Sequence, residues 1–261
     1  MESDRQSKDQ SGGDALISLA QLKEASRKTG LTLYQQEEDY FLKVFLFTYF
    51  RRYGDAVFKG GTCLRYVFGF DRFSADLDFN LSVPLGRFRA QVGKVVREIG
   101  LIGMEANSIK EEQFEDAYTC GISFNGPLYR GTAQTRNRIR IDAGKRTGTL
   151  RDPEWRLISF EYPETREQFL VLAMSEQEML VEKVIALTEK KKGRDLYDLW
   201  FMLRKGVRVD EELLARKSHS GLQFHVLVSK EEYERDMKRL TRRVIPYSQI
   251  VRDVESLSAL R

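Results

Sequence analysis

At 261 residues, with 41% hydrophobic residues, 16 Phe and 11 Tyr, the chain can bury a sizeable core, which excludes a disordered protein and suggests two subdomains sharing a cleft. A net charge of +4, from 43 basic and 39 acidic residues, accommodates a polyanionic partner without demanding one. Cys63 and Cys120 are too few for a disulfide framework and, with His219 and His225, too few for a zinc array, so a reducing, cytoplasmic setting is expected.

Residues 1–14 are polar and read as a flexible tail with no signal peptide. Leu16, Leu19 and Leu22 recur at helical spacing, predicting a helix over 15–28 that stops at Gly30. A second helix spans 35–53 and ends at Gly54. Its apolar run from Tyr40 to Phe50 contains Lys43 and is followed by Arg51 and Arg52, well short of the roughly 20 residues that span a bilayer. A buried helix is therefore expected, and no membrane segment. A short strand over 56–58 feeds Gly60 and Gly61, and a helix over 62–68 is closed by Gly69. Strict alternation predicts a strand over 75–82, with Leu77, Phe79 and Leu81 on one face and Asp76, Asp78 and Asn80 on the other. A helix over 87–99 and strands over 118–124, 137–143 and 155–162 follow. After Pro163 the pattern reads as helical throughout, over 175–191, 195–204, 210–217, 230–242 and 248–257. The expected organisation is a tail (1–14), an α+β domain (15–170) and a helical C-terminal domain (171–261).

The chemistry concentrates at two places. Lys59-Gly60-Gly61-Thr62 sets a glycine turn at a helix start, where uncovered backbone N–H groups favour a phosphate. Asp76 and Asp78, roughly 7 Å apart on one strand face at about 3.3 Å per residue, can converge on a divalent metal. A phosphate cradle beside a metal pair is what nucleotidyl transfer requires. In Asn137-Arg138-Ile139-Arg140-Ile141-Asp142, alternation puts Asp142 on a polar face, either as a third metal carboxylate or as an ion-pair partner of Arg138 or Arg140. Further on, Lys183 emerges at the edge of an apolar helix face, where it could neutralise a triphosphate. Asp195 and Asp198 share one face of the next helix, as a functional pair or as a helix-start charge pair.

Together, Gly60-Gly61-Thr62, the Arg72-Phe73-Ser74-Ala75-Asp76-Leu77-Asp78 strand and the late Glu182-Lys183 and Arg194-Asp195-Leu196-Tyr197-Asp198 segments resemble the AbiEii/AbiGii toxin family of nucleotidyltransferases, which includes the MenT toxins. The resemblance spans roughly residues 57–200. It implies a DNA-polymerase-β-like nucleotidyltransferase core with a helical C-terminal half. It also implies a magnesium- or manganese-dependent toxin of a toxin–antitoxin or phage-defence system, with a cognate antitoxin. Some members transfer nucleotides from an NTP to the 3′ end of tRNA, blocking translation. By matching position, Gly60, Gly61 and Ser74 would contact phosphate, Asp76 and Asp78 would bind metal, Lys183 would contact the nucleotide, and Asp195 and Asp198 would belong to the late motif. Where other nucleotidyltransferases carry Gly-Ser, this chain has Gly60-Gly61, and Thr62 could supply the hydroxyl.

For an RNA acceptor, the basic residues expected to frame the cleft are Lys190, Lys191, Lys192 and Arg194, then Lys238, Arg239, Arg242 and Arg243. Tyr129, Arg130, Arg136 and Arg138 could join them. Competing readings are nucleotide transfer to a protein hydroxyl and a non-catalytic NTP-binding regulator. Thr62 and Ser74, beside the phosphate site, are also positions where phosphorylation would repel a triphosphate.

Overall fold

The computed structural model describes residues 17–145, 148–159, 162, 168–190, 192–218 and 228–258. The tail at 1–14, Lys191, His219 and His225 lie outside the described residues. Helix α1 (Leu19–Thr29) and helix α2 (Leu33–Phe50) both begin in a reciprocal capping box, Ser18 with Gln21 and Thr32 with Gln35, which satisfies two otherwise orphaned backbone N–H groups at each start. As the apolar run predicts, α2 is a buried helix, with Phe41, Leu42, Phe45 and Leu46 fully enclosed. Its burial is all-round, so Gln36, Glu37, Glu38, Asp39 and Lys43 are buried with them.

Strands β1 (Ala56–Lys59), β2 (Asp76–Leu81), β3 (Ala106–Gln113), β4 (Ala117–Phe124), β5 (Asn137–Gly144), β6 (Glu154–Ser159) and β7 (Gln168–Ala173) form one mixed sheet in the order β3-β4-β5-β2-β1-β7-β6. The carboxylate-bearing strands are neighbours near its centre. β2 runs antiparallel to β1, with Lys59 opposite Asp78, and parallel to β5, with Asp78 opposite Asp142. Helix α2 packs on β5 and β7, while α3 (Gly60–Phe68) and α4 (Leu85–Leu101) return the chain between strands. Helices α5 (Glu176–Lys190), α6 (Gly193–Arg204), α7 (Glu211–Ser218), α8 (Lys230–Met237) and α9 (Tyr247–Ser258) follow. Helix α6 is their hub, in contact with α5, α8 and α9. A Cβ at Gly193 would lie 2.5 Å from the Tyr233 Cα, so only glycine lets α6 start this close to α8. The apolar core is continuous across sheet and helices, from Ile17 to Val254.

The α+β reading therefore holds, with three corrections. The chain is not uniformly helical after Pro163: β7 pairs in parallel with β1 and antiparallel with β6. Its sequence, Gln168-Phe169-Leu170-Val171-Leu172-Ala173, is an apolar run without polar alternation, which periodicity cannot separate from a helix segment. Strand β3 was also not predicted, because this polar edge strand is exposed along almost its whole length and has no apolar face to reveal it. Helix α8 stops at Met237, earlier than expected, and the following turn lets the Phe73 N–H donate to the Leu240 carbonyl at 2.7 Å.

Candidate active site

The chain leaves β1 and enters α3 through Gly60, whose φ of 78° is left-handed and favours glycine. Space demands it as well: a Cβ there would sit 2.2 Å from Asp78 Oδ2. At Gly61 a Cβ would meet Arg72 Nη2 at 2.5 Å and Ser74 Oγ at 2.9 Å. Lys59, the residue before α3, makes no side-chain cap, so the first N–H groups of the helix lack the usual side-chain acceptor. Thr62 Oγ1 lies 2.5 Å from the Asp76 carbonyl and 3.0 Å from Ser74 Oγ, tying the helix to the chain entering β2.

Asp76 and Asp78 stand on the same face of β2, with Leu77 buried between them. Among the described residues, Asp76 makes one ion pair, a long one with Arg194 at 3.7 Å. Asp78 makes no hydrogen bond or ion pair among the described residues, and its carboxyl is pushed up to about 6 by burial and by Asp76, against the pull of Lys59 and Lys183. A half-buried carboxyl without a donor is an incomplete arrangement that a divalent cation satisfies. Two hard oxygen donors on one strand face, one of them orphaned, fit such an ion. Asp142 lies beside Asp78 in register but is engaged elsewhere, accepting from Thr119 Oγ1 at 2.7 Å and pairing with Arg140 at 2.8 Å. Among the described residues no cluster of three or more His, Cys, Asp or Glu is close enough to hold a metal. The Asp76–Asp78 pair is thus brought together, and Asp142 is drawn aside by its arginine.

The late motif packs beneath this site. Lys183 on α5 pairs with Asp195 at 2.6 Å and with Asp198 at 2.8 Å. Burial opposes the charge on Lys183, but Asp198 and Asp195 outweigh it and raise its pKa. Asp198 is fully enclosed and takes both arms of the Arg72 guanidinium, at 2.5 and 2.6 Å. Burial disfavours that carboxylate too, yet Arg72 and Lys183 hold it below its ordinary range. Lys59 pairs with Glu182 at 2.9 Å, and Glu182 with the buried Lys217, also at 2.9 Å. Lys59, Gly60, Gly61, Ser74, Asp76, Asp78, Lys183 and Asp195 thus line one cleft, joined by Arg72, Glu182, Lys192 and Arg194. Arg72 and Glu182 had no assigned role in the sequence reading. The available signal for Arg72 was the every-second-residue alternation that it begins and that Ser74, Asp76 and Asp78 continue.

Of the basic residues expected to frame the cleft, Lys192 and Arg194 line it, and they meet Arg235 and Arg239 in an adjoining pocket. Arg242 instead donates to the Gly30 carbonyl at 3.0 Å, and Arg136 is held by Asn125 and Tyr129.

A family model described as "Nucleotidyl transferase AbiEii toxin, Type IV TA system" matches residues 45–253. The chain belongs to this family. The nucleotidyltransferase toxin class and the fold expected from the motifs are borne out. The fold is similar to that of MenT4, a nucleotidyltransferase toxin from Mycobacterium tuberculosis H37Rv, with 20% identity, a TM-score of 0.64, and coverage of 91% of this chain and 88% of that one. It is similar also to JHP933 from Helicobacter pylori, at 14% identity, a TM-score of 0.60, and coverage of 88% and 92%. At such identities the likeness is one of fold. An uncharacterized protein of Aquifex aeolicus, aq_aa25, is 28% identical over 87 residues, a stretch covering 33% of this AbiEii chain and 42% of that protein. Among the described residues no helix is long and apolar enough to cross a membrane.

Proposed function

We propose that this AbiEii-family protein transfers a nucleotide from an NTP to the 3′ end of an RNA, most simply a tRNA, and that this transfer blocks translation until a cognate antitoxin opposes it. The observation that carries the reading is the orphaned Asp78 carboxyl beside a helix start that no side chain caps. Support for a nucleic-acid acceptor comes from Lys192, Arg194, Arg235 and Arg239, which continue the cleft as a basic pocket suited to backbone phosphates.

In the proposed reaction the N–H groups at Gly60 and Gly61 bind the triphosphate, with Ser74 beside them, and Lys192 and Arg194 balance its charge. Lys183 keeps Asp195 and Asp198 in order under the nucleotide. A divalent cation on Asp76 and Asp78, magnesium or manganese, supplies charge neutralisation at the phosphates and lowers the pKa of the attacking hydroxyl when bound. The acceptor oxygen forms a bond to the α-phosphorus, and the bond from that phosphorus to the bridging oxygen breaks. Pyrophosphate leaves with the electron pair, and the hydroxyl proton is released to solvent water. The two subdomains divided near residue 170 in the sequence reading would each contribute one wall of the cleft.

The test is incubation of the protein with each labelled NTP in turn, with magnesium and with purified tRNA or total protein. Label in RNA, lost on Asp76→Asn and on Asp78→Asn, is the expected result. Label in protein alone would replace the RNA acceptor with a protein hydroxyl. Binding of NTP without any transfer would replace catalysis with regulation.

A further inference from the structure

Asp76 lines a second pocket as well, whose other walls include Tyr34, Glu38, Ile109, Arg138 and Arg140. Glu38 is the anomaly in it. The side chain is only 8% exposed, yet it makes no hydrogen bond or ion pair among the described residues. Its neighbours on α2 are buried carboxylates of the ordinary kind. Glu37 accepts from the Leu128 N–H at 2.7 Å and from Asn137 at 3.1 Å, and Asp39 accepts from Arg65 at 2.5 Å and Tyr66 at 2.8 Å. A buried polar group left unmatched between two matched ones requires an explanation, and a missing ligand supplies one.

The rest of the pocket indicates the chemistry of that ligand. Tyr34 is 46% exposed and Ile109 is 49% exposed, so an aromatic face and an apolar wall are open to a planar group. Arg138 is exposed and makes no ion pair among the described residues, leaving a guanidinium available for a phosphate. An open aromatic ring, a free arginine and a hydrogen-bonding side chain in a cleft are what a stacked base and its backbone require.

We propose that this pocket seats the 3′-terminal nucleoside of the acceptor strand. Tyr34 stacks on its base, Glu38 hydrogen-bonds its polar edge, and Arg138 holds the adjoining phosphate, so that the terminal hydroxyl faces the α-phosphate across Asp76. The proposal rests on the RNA-transfer reading above and makes Glu38 a residue of acceptor choice rather than of NTP binding.

The experiment compares the parent with Glu38→Leu, Glu38→Gln and Tyr34→Ala, using the full chain, the preferred NTP and a tRNA acceptor. Glu38→Leu and Tyr34→Ala should raise KM for the acceptor by about tenfold or more, with KM for the NTP changed less than about twofold. Glu38→Gln, which still offers a donor and an acceptor, should keep more of the acceptor affinity. Glu38→Leu should melt no lower than the parent, because it replaces an unpartnered carboxyl with an apolar group. A parallel titration with a fluorescent single-stranded RNA oligonucleotide, without NTP, should weaken in the same order. An equal rise in the NTP KM would give the pocket to the nucleotide donor, and unchanged constants in both assays would dismiss it; either overturns the proposal. Tyr34-dependent label in protein would overturn it in favour of a peptide. A parent that transfers nothing to RNA defeats the underlying reading instead, and RNA binding insensitive to both residues then rejects the pocket independently.

Discussion

Asp78 illustrates how a single residue at this site sets function against stability. Its carboxyl sits at about 6, against 3.8 for an unburied aspartate. The folded protein therefore binds this proton more tightly than the unfolded chain does. The associated stability is present below about pH 4, fades as pH rises through about 6, and is absent above it. Without metal, Asp78→Asn should accordingly raise unfolding stability at neutral pH by on the order of 1–3 kcal/mol, with little change in acid, as read by thermal melting. Magnesium should raise the melting point of the parent and not that of the variant. Arg72 is the opposite case, since its charge is matched on both arms by Asp198. Arg72→Met strips the buried Asp198 of its main partner and should cost on the order of 3–5 kcal/mol in urea unfolding.

At the scale of elements, two glycines that end or begin α3 separate backbone strain from contact. Gly60 and Gly69 have nearly the same φ, 78° and 73°, but a Cβ at Gly69 meets nothing within 4 Å. Gly69→Ala should therefore cost about 1–2 kcal/mol of left-handed strain and leave nucleotide transfer intact. Gly60→Ala adds a collision with Asp78 and should abolish transfer, which parallel melting and labelled-NTP assays would distinguish. These elements were legible because their signals are local: β2 announces itself by alternation and α3 by its flanking glycines. β3 and β7 were hidden, one by having no buried face and the other by having no polar one. Glu38 was hidden for a related reason. A helix buried all round carries no amphipathic stripe, so a polar residue within it gives no sign of what it faces. The partner of Arg72 lies 126 positions away, and no spacing rule reaches that far.

Across the whole molecule, buried charges connect distant segments to the cleft. Lys217 on α7 sits between Glu178 at 2.6 Å and Glu182 at 2.9 Å, and Glu178 also accepts from the Leu150 and Arg151 N–H groups at 2.8 and 3.0 Å. Lys217→Met should free Glu182 to draw Lys59 from its place, raising KM for the NTP as well as lowering stability by on the order of 3–5 kcal/mol. On the outer surface, Arg235→Ala and Arg239→Ala should weaken RNA binding irrespective of sequence and flatten its salt dependence by about 0.7 in log–log slope each.

Lys59 and Arg72 come from the first part of the chain, and the carboxylates that neutralise them, Glu182 and Asp198, from the last. Each part carries charge that the other helps to cancel. Two separately expressed fragments, cut between β6 and β7, should accordingly be inert and poorly behaved alone, yet assemble when made together. That complementarity would make toxicity conditional on two genes instead of one.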